Sequence, residues 1–94
     1  MRCLFAARAE ADLEEIGDYI AEDNPARAKS FIIELRERCK HIADMPRAYP
    51  LRPEIAPDIR TVATGNYVIF YSVHADHVLI ERIAHGARNV EDMF

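Results

Sequence analysis

Apolar residues recur at helical spacing in the first half of the chain and at strand spacing in the second. From Ala9 to about Asp23, the positions Ala9, Leu13, Ile16 and Ile20 follow i, i+4, i+7 and i+11, with Tyr19 beside them. That spacing predicts an amphipathic helix with its acids largely on the opposite, solvated face. Glu10 and Asp12 in its first turn suit the helix dipole, whereas Glu22 and Asp23 near its end oppose it. Asn24-Pro25 ends this helix and starts another, Asn as N-cap and Pro at the first helical position. The second helix runs to about Asp44 with the stripe Ala28, Phe31, Ile32, Leu35, Cys39 and Ile42. Its bases Arg27, Lys29, Arg36, Arg38 and Lys40 can approach the acids of the first helix across a helical hairpin.

Strand patterns flank this hairpin. Arg2 to Ala6 reads as a short first strand. Met45 to Asp58 holds Pro46, Pro50, Pro53 and Pro57, which excludes helix and central strand and leaves a stiff connector. Ile59–Ala63, Tyr67–His74 and His77–His85 then read as strands, linked by Thr64-Gly65-Asn66 and by Ala75-Asp76. The middle one is apolar at successive positions, so it is expected to be central and covered on both faces. In the last, strict alternation groups Val78, Ile80, Arg82 and Ala84 on one face and Leu79, Glu81, Ile83 and His85 on the other. Asn89 and Asp92 have the spacing to open a terminal helical turn. The predicted fold is α+β: a helical hairpin packed on a small, mostly antiparallel sheet in the order β-α-α-β-β-β.

Length makes the 94 residues a single domain, 1–94, that buries roughly 60–65% of its unfolded surface. No apolar run is long enough to span a membrane, and Met1-Arg2-Cys3-Leu4-Phe5 is charged too early for a signal peptide. A cytoplasmic location is expected. Cys3 and Cys39 lack metal-ligand spacing, and Cys39 falls on an apolar stripe, which marks it as a buried thiol.

Net charge sharpens the picture. Seven of the 16 acids lie between Ala9 and Asn24, where there is no base. Nine acids and all 12 bases fall elsewhere, a surplus of three positive charges there within a net charge of −4. A protein that grips nucleic acid without sequence preference is usually basic overall, so direct DNA binding is not expected. His74 and His77 flank a hairpin tip with only Asp76 near them, and His41 suits a helix C-terminus; no metal site or cofactor is expected. The glycines Gly17, Gly65 and Gly86 are scattered, so no phosphate-binding loop is present.

Arg60, Arg82, His85 and Arg88, with Tyr67 and Tyr71, carry the remaining chemistry. They admit two readings. In one, His85 acts as acid or base and Arg60 and Arg82 hold phosphate, as RNA cleavage requires. In the other, Arg82 and Arg88 bond carboxylates and carbonyls while His85 caps a strand end.

The chain resembles the ParE branch of the ParE/RelE toxin family of bacterial type II toxin–antitoxin systems. The resemblance rests on Ala9-Glu10-Ala11-Asp12-Leu13 with Ile16 and Tyr19-Ile20, on Asn24-Pro25, on Leu35 through Pro46, and on Arg52-Pro53-Glu54 and Arg60. It continues through Tyr67-Val68-Ile69-Phe70-Tyr71, Ile80-Glu81-Arg82-Ile83 and His85-Gly86-Ala87-Arg88-Asn89. It implies a growth-arresting toxin that binds DNA gyrase and is neutralised by a ParD-like antitoxin, whose C-terminal segment lies along the hairpin and sheet. It also implies the alternative of a RelE-like, ribosome-dependent mRNA endoribonuclease using Arg60, Arg82 and His85. No Tyr follows Arg82, where the ribonuclease branch carries a Tyr or His near the C-terminus. Ala6-Ala7-Arg8 stands where relatives often have Ser or Thr then Pro, and Asn89 replaces the family's final Asp. The residues expected to touch antitoxin or target are Glu14, Glu15 and Asp18 on the acidic helix, and Arg60, Tyr67, Tyr71, Arg82, His85 and Arg88 on the strands.

Overall fold

Each periodic stretch becomes the element its spacing predicts. The computed structural model describes residues 1–94 as β1 (Arg2–Phe5), α1 (Ala7–Ala21), α2 (Pro25–Ile42), β2 (Arg60–Thr64), β3 (Tyr67–Val73) and β4 (His77–His85), with a terminal 3₁₀ turn, Val90–Asp92. The sheet order is β1-β4-β3-β2. β1 runs parallel to β4, and the other pairings are antiparallel. The α+β architecture expected from the pattern is therefore present, with β4 and β3 central.

Asn24 caps α2 as its side chain accepts the Arg27 N–H at 3.0 Å. α1 starts two residues earlier than its apolar stripe. Ala6 remains extended and caps it without a side-chain bond, while its own N–H bonds the Ile80 carbonyl at 2.9 Å. The last strand partner of β1 and the first turn of α1 are thus pinned to the same point of β4. Gly65 turns the β2–β3 connection at φ +59°, a region that glycine enters without a Cβ penalty.

The core lies between hairpin and sheet. Leu13, Ile16, Phe31, Leu35, Cys39 and Ile42 pack there on Val62, Ile69, Tyr71, Val78, Ile80 and Ile83. Each fully buried large apolar side chain contributes roughly 1.5–3 kcal/mol. A smaller cluster on the back of the sheet joins Ile59, Phe70 and Ala84 to Ile55, Ala56, Val68, Val90 and Met93. The connector and the terminal turn, where Asn89 accepts the Glu91 N–H at 3.1 Å, thus cover the back of β3.

Three expectations are corrected. Tyr19 is not part of the buried stripe but 69% exposed. Asp12 is not on the solvated face but is buried. Strict alternation in β4 fails because Phe70 pairs with Arg82 and the next residue, Tyr71, pairs with Ile80. Glu81 is left over as a bulge, which switches faces, so Ile80 and Ile83 enter the same core.

Candidate functional site

Past Ile80, β4 has no strand on its outer edge, because β1 pairs with it only as far as Phe5. α1 fills that gap with Asp12. Its carboxylate accepts from Arg82 Nε at 2.8 Å, from Arg82 Nη2 at 3.0 Å and from the Ile83 N–H at 2.9 Å. A bidentate carboxylate raises the affinity of the guanidinium for its proton and holds Arg82 charged. Both partners are buried, so the pair works as a clamp between α1 and β4.

Above this clamp opens a cleft of about 900 Å³ between the turn end of the helical hairpin and the ends of β3 and β4. Ile16, Ile20, Phe31, Ile83 and Ala84 provide its apolar lining, and Glu15, Tyr19, Tyr67, His85 and Arg88 its polar rim. One wall is a continuous row of aromatic contacts. Arg27 lies 5.1 Å over the Phe31 ring, Phe31 is 5.5 Å from Tyr67, and Tyr67 meets His85 edge-on at 5.4 Å. Burial raises the pKa of the Tyr67 phenol, with Tyr19 nearby adding to it. His85 Nδ1 accepts the Ala87 N–H at 3.1 Å. It therefore caps the chain where it leaves β4, and a neutral ring keeps its proton on Nε2, facing away from that bond.

The candidate residues separate into three places. Tyr67, His85, Arg88 and Glu15 line the cleft, with Arg82 held beneath it by Asp12. Glu14 and Asp18 line a shallow groove between α1 and α2, floored by Leu13, Gly17 and Ile32. Arg60 and Tyr71 sit at the opposite end of the sheet. Arg60 donates to the Tyr49 and Arg47 carbonyls, and the Tyr71 hydroxyl donates to the Pro46 carbonyl at 2.7 Å. Tyr71 pairs with Arg60 and Tyr67 pairs with His85. Those two β3 residues are four positions apart, roughly 13 Å along a strand. Arg60 and His85 therefore do not converge on one phosphate.

The hairpin tip is a polar patch. His74 and His77 stack at 4.7 Å, with Asp76 bonded to His77 at 2.7 Å, and no group of three ligating side chains suits a metal ion. Burial pushes the Cys39 thiol up to about 12, so it stays protonated.

Sequence reasoning missed Asp12, Arg27, Phe31 and Asn66 as site residues. Asp12 had a signal: it lies at i+3 from Ala9 and i−4 from Ile16, inside the apolar stripe. An acid there needs a buried cation, and Arg82 is the only base in the apolar run of β4.

A comparison with curated proteins returns no match. Among solved structures, the chain is similar to one described as the chromosomal ParDE TA system from P. aeruginosa. The likeness covers 90% of this chain and 95% of that one, with a TM-score of 0.78 and 24% identity, and it bears on the fold. A family model described as the ParE toxin of type II toxin-antitoxin system, parDE, matches residues 4–90. With the match running from β1 through the Arg88 loop, the chain belongs to the ParE toxin family of type II toxin–antitoxin systems.

Proposed function

We propose that this toxin acts by binding a protein rather than by cutting RNA, that its target is DNA gyrase, and that a ParD-like antitoxin silences it in the cytoplasm. The observation that carries this reading is the state of Arg82. A ribonuclease built on Arg60, Arg82 and His85 needs those two arginines free to meet the scissile phosphate. Here Arg82 is buried with its charge matched by Asp12 through Nε and Nη2, and Arg60 is tied through Nη1 to connector carbonyls at the far end of the sheet. What stays exposed, the acidic α1 and the aromatic rim of the cleft, suits protein contact. In this reading Glu14, Glu15 and Asp18 meet the antitoxin.

The test is a supercoiling assay with purified toxin. Gyrase is expected to lose supercoiling activity or to accumulate cleaved DNA, and added antitoxin to restore it. Charge reversal at Glu14, Glu15 and Asp18 is expected to weaken that rescue, more so at low salt. Unaffected gyrase at excess toxin, together with shortened mRNA after induction, overturns the proposal in favour of the ribonuclease.

A further inference from the structure

We infer that the cleft between the hairpin turn and the β3–β4 end seats a short protein segment carrying a large apolar side chain beside a carboxylate. This rests on the reading that the toxin works through protein contacts, and it names the chemistry of the contact.

The floor sets the first half of the requirement. Ile16, Phe31 and Ile83 are buried, and the lining continues upward through Ile20 and Tyr67. A volume of about 900 Å³ exceeds what one side chain needs, so a few residues of a partner fit with one anchor at the bottom. The Arg27–Phe31–Tyr67–His85 row gives that anchor an aromatic wall, with Tyr19 at the rim 69% exposed. Tyr and Arg around a desolvated pocket are the composition of an interface hot spot.

The rim sets the second half. Asp12 is neutralised by Arg82, so its charge is already matched. Arg27 is engaged by Glu34 along α2. The Arg88 guanidinium has no hydrogen-bond or ion-pair partner, the Tyr67 hydroxyl makes no hydrogen bond, and His85 keeps its Nε2–H free once Nδ1 accepts from Ala87. Three donors without acceptors stand at one mouth, facing a single unpaired acid, Glu15. A carboxylate is the group that satisfies them together. A nucleic-acid strand could stack on the same rings, but its phosphates would run beside the acidic α1 of a chain with net charge −4.

The test is an NMR titration of the isotope-labelled toxin with three probes. One is a short peptide with a phenylalanine followed by an aspartate. The second is the same peptide with lysine in place of the aspartate, and the third is a single-stranded uridine-rich RNA. The aspartate peptide is expected to shift the amides of Tyr19, Phe31, Tyr67 and His85 saturably, and the lysine peptide to bind about tenfold more weakly. Arg88→Glu is expected to reverse that preference without changing the fold, since Arg88 is exposed and unpaired. Arg38→Glu, an equal charge change on the polar side of α2, is expected to leave it unchanged. Equal binding of the two peptides, shifts outside the cleft, or tighter binding of the RNA overturns the inference. No gyrase enters the titration. A toxin inert on gyrase that still selects the aspartate peptide overturns the gyrase proposal alone, and one that inhibits gyrase without selecting it overturns this inference alone.

Discussion

The two ends of the sheet are built from the same residue types and use them differently. Where β2 begins, Arg60 and Tyr71 are paired across strands and both donate to carbonyls of the connector, at Tyr49, Arg47 and Pro46. Where β3 begins and β4 ends, Tyr67 and His85 are paired in the same way, yet the Tyr67 hydroxyl has no acceptor. The difference comes from the chain nearby. The segment from Met45 to Asp58 folds back over the first end, with Leu51 bridging Arg60. The second end is crossed only by the Gly65–Asn66 turn and the outgoing loop, bonded through the Gly86 N–H to the Asn66 carbonyl at 2.8 Å. A strand arginine or tyrosine is a structural fastener where backbone carbonyls reach it, and a contact group where they do not.

The Asp12–Arg82 clamp is the strongest way to break this contrast, because it is a fastener at the open end. Asp12→Ala leaves a buried guanidinium and the Ile83 N–H unsatisfied, while Arg82→Met leaves a buried carboxylate with only that N–H. Each is expected to cost about 3–5 kcal/mol. The double variant Asp12→Leu with Arg82→Met restores a packed apolar contact and is expected to cost less than either single change, with the orphaned Ile83 N–H keeping it below the parent. Urea unfolding of the four proteins measures this. Single variants within about 1 kcal/mol of the parent would show that α1 is held on β4 by apolar packing alone.

A matched pair of smaller changes tests the two ends directly. Tyr71→Phe removes the bond to the Pro46 carbonyl and is expected to cost about 1 kcal/mol. Tyr67→Phe removes a hydroxyl with no partner and is expected to stay within about 0.5 kcal/mol of the parent. Both keep the ring, so packing is unchanged. Equal losses in thermal melts would mean that the open end is as fastened as the closed one.

Element types and the layer order were legible because apolar spacing reports them. The stripe from Ala28 to Ile42 is buried except for the half-buried Ile32, and the successive apolar residues of β3 are covered on both faces, Ile69 and Tyr71 by the hairpin and Phe70 by the back cluster. The bulge was not legible. Leaving Glu81 unpaired depends on where β1 stops and Asp12 takes over, which is tertiary information that a period of two cannot carry. The site was legible in part. Tyr67, His85, Arg88 and Glu15 were singled out and line the cleft, whereas Arg60 and Tyr71 looked equivalent to them in sequence. What distinguishes the two sets is the path of the connector, and its proline spacing limits its secondary structure without saying which carbonyls it presents.

The smallest expected effect is electrostatic and lies on the outside of the hairpin. Glu10 and Arg36 form a bidentate pair at 3.0 and 2.9 Å, the helix-to-helix contact that the charge pattern predicted. The bond to Arg36 holds the Glu10 carboxyl below its ordinary value of 4.5. A group whose folded pKa is depressed contributes stability that is fully present above the unfolded value and is lost as pH falls through the folded one. Both side chains are well exposed, 39% and 47%, so solvent screening limits the contribution. It should be no more than about 1 kcal/mol. Arg36→Met keeps an apolar stem over the Phe5 ring, which the guanidinium covers at 5.2 Å, and removes the charge. The stability gap between parent and Arg36→Met should therefore be widest near neutral pH and close as pH drops below 4.5. It should also shrink at about 1 M salt, where the screening length is about 3 Å. The buried Asp12–Arg82 pair should show little of that salt response. A gap that widens in acid or ignores salt would mean that Arg36 stabilises the hairpin by packing on Phe5 and not through Glu10.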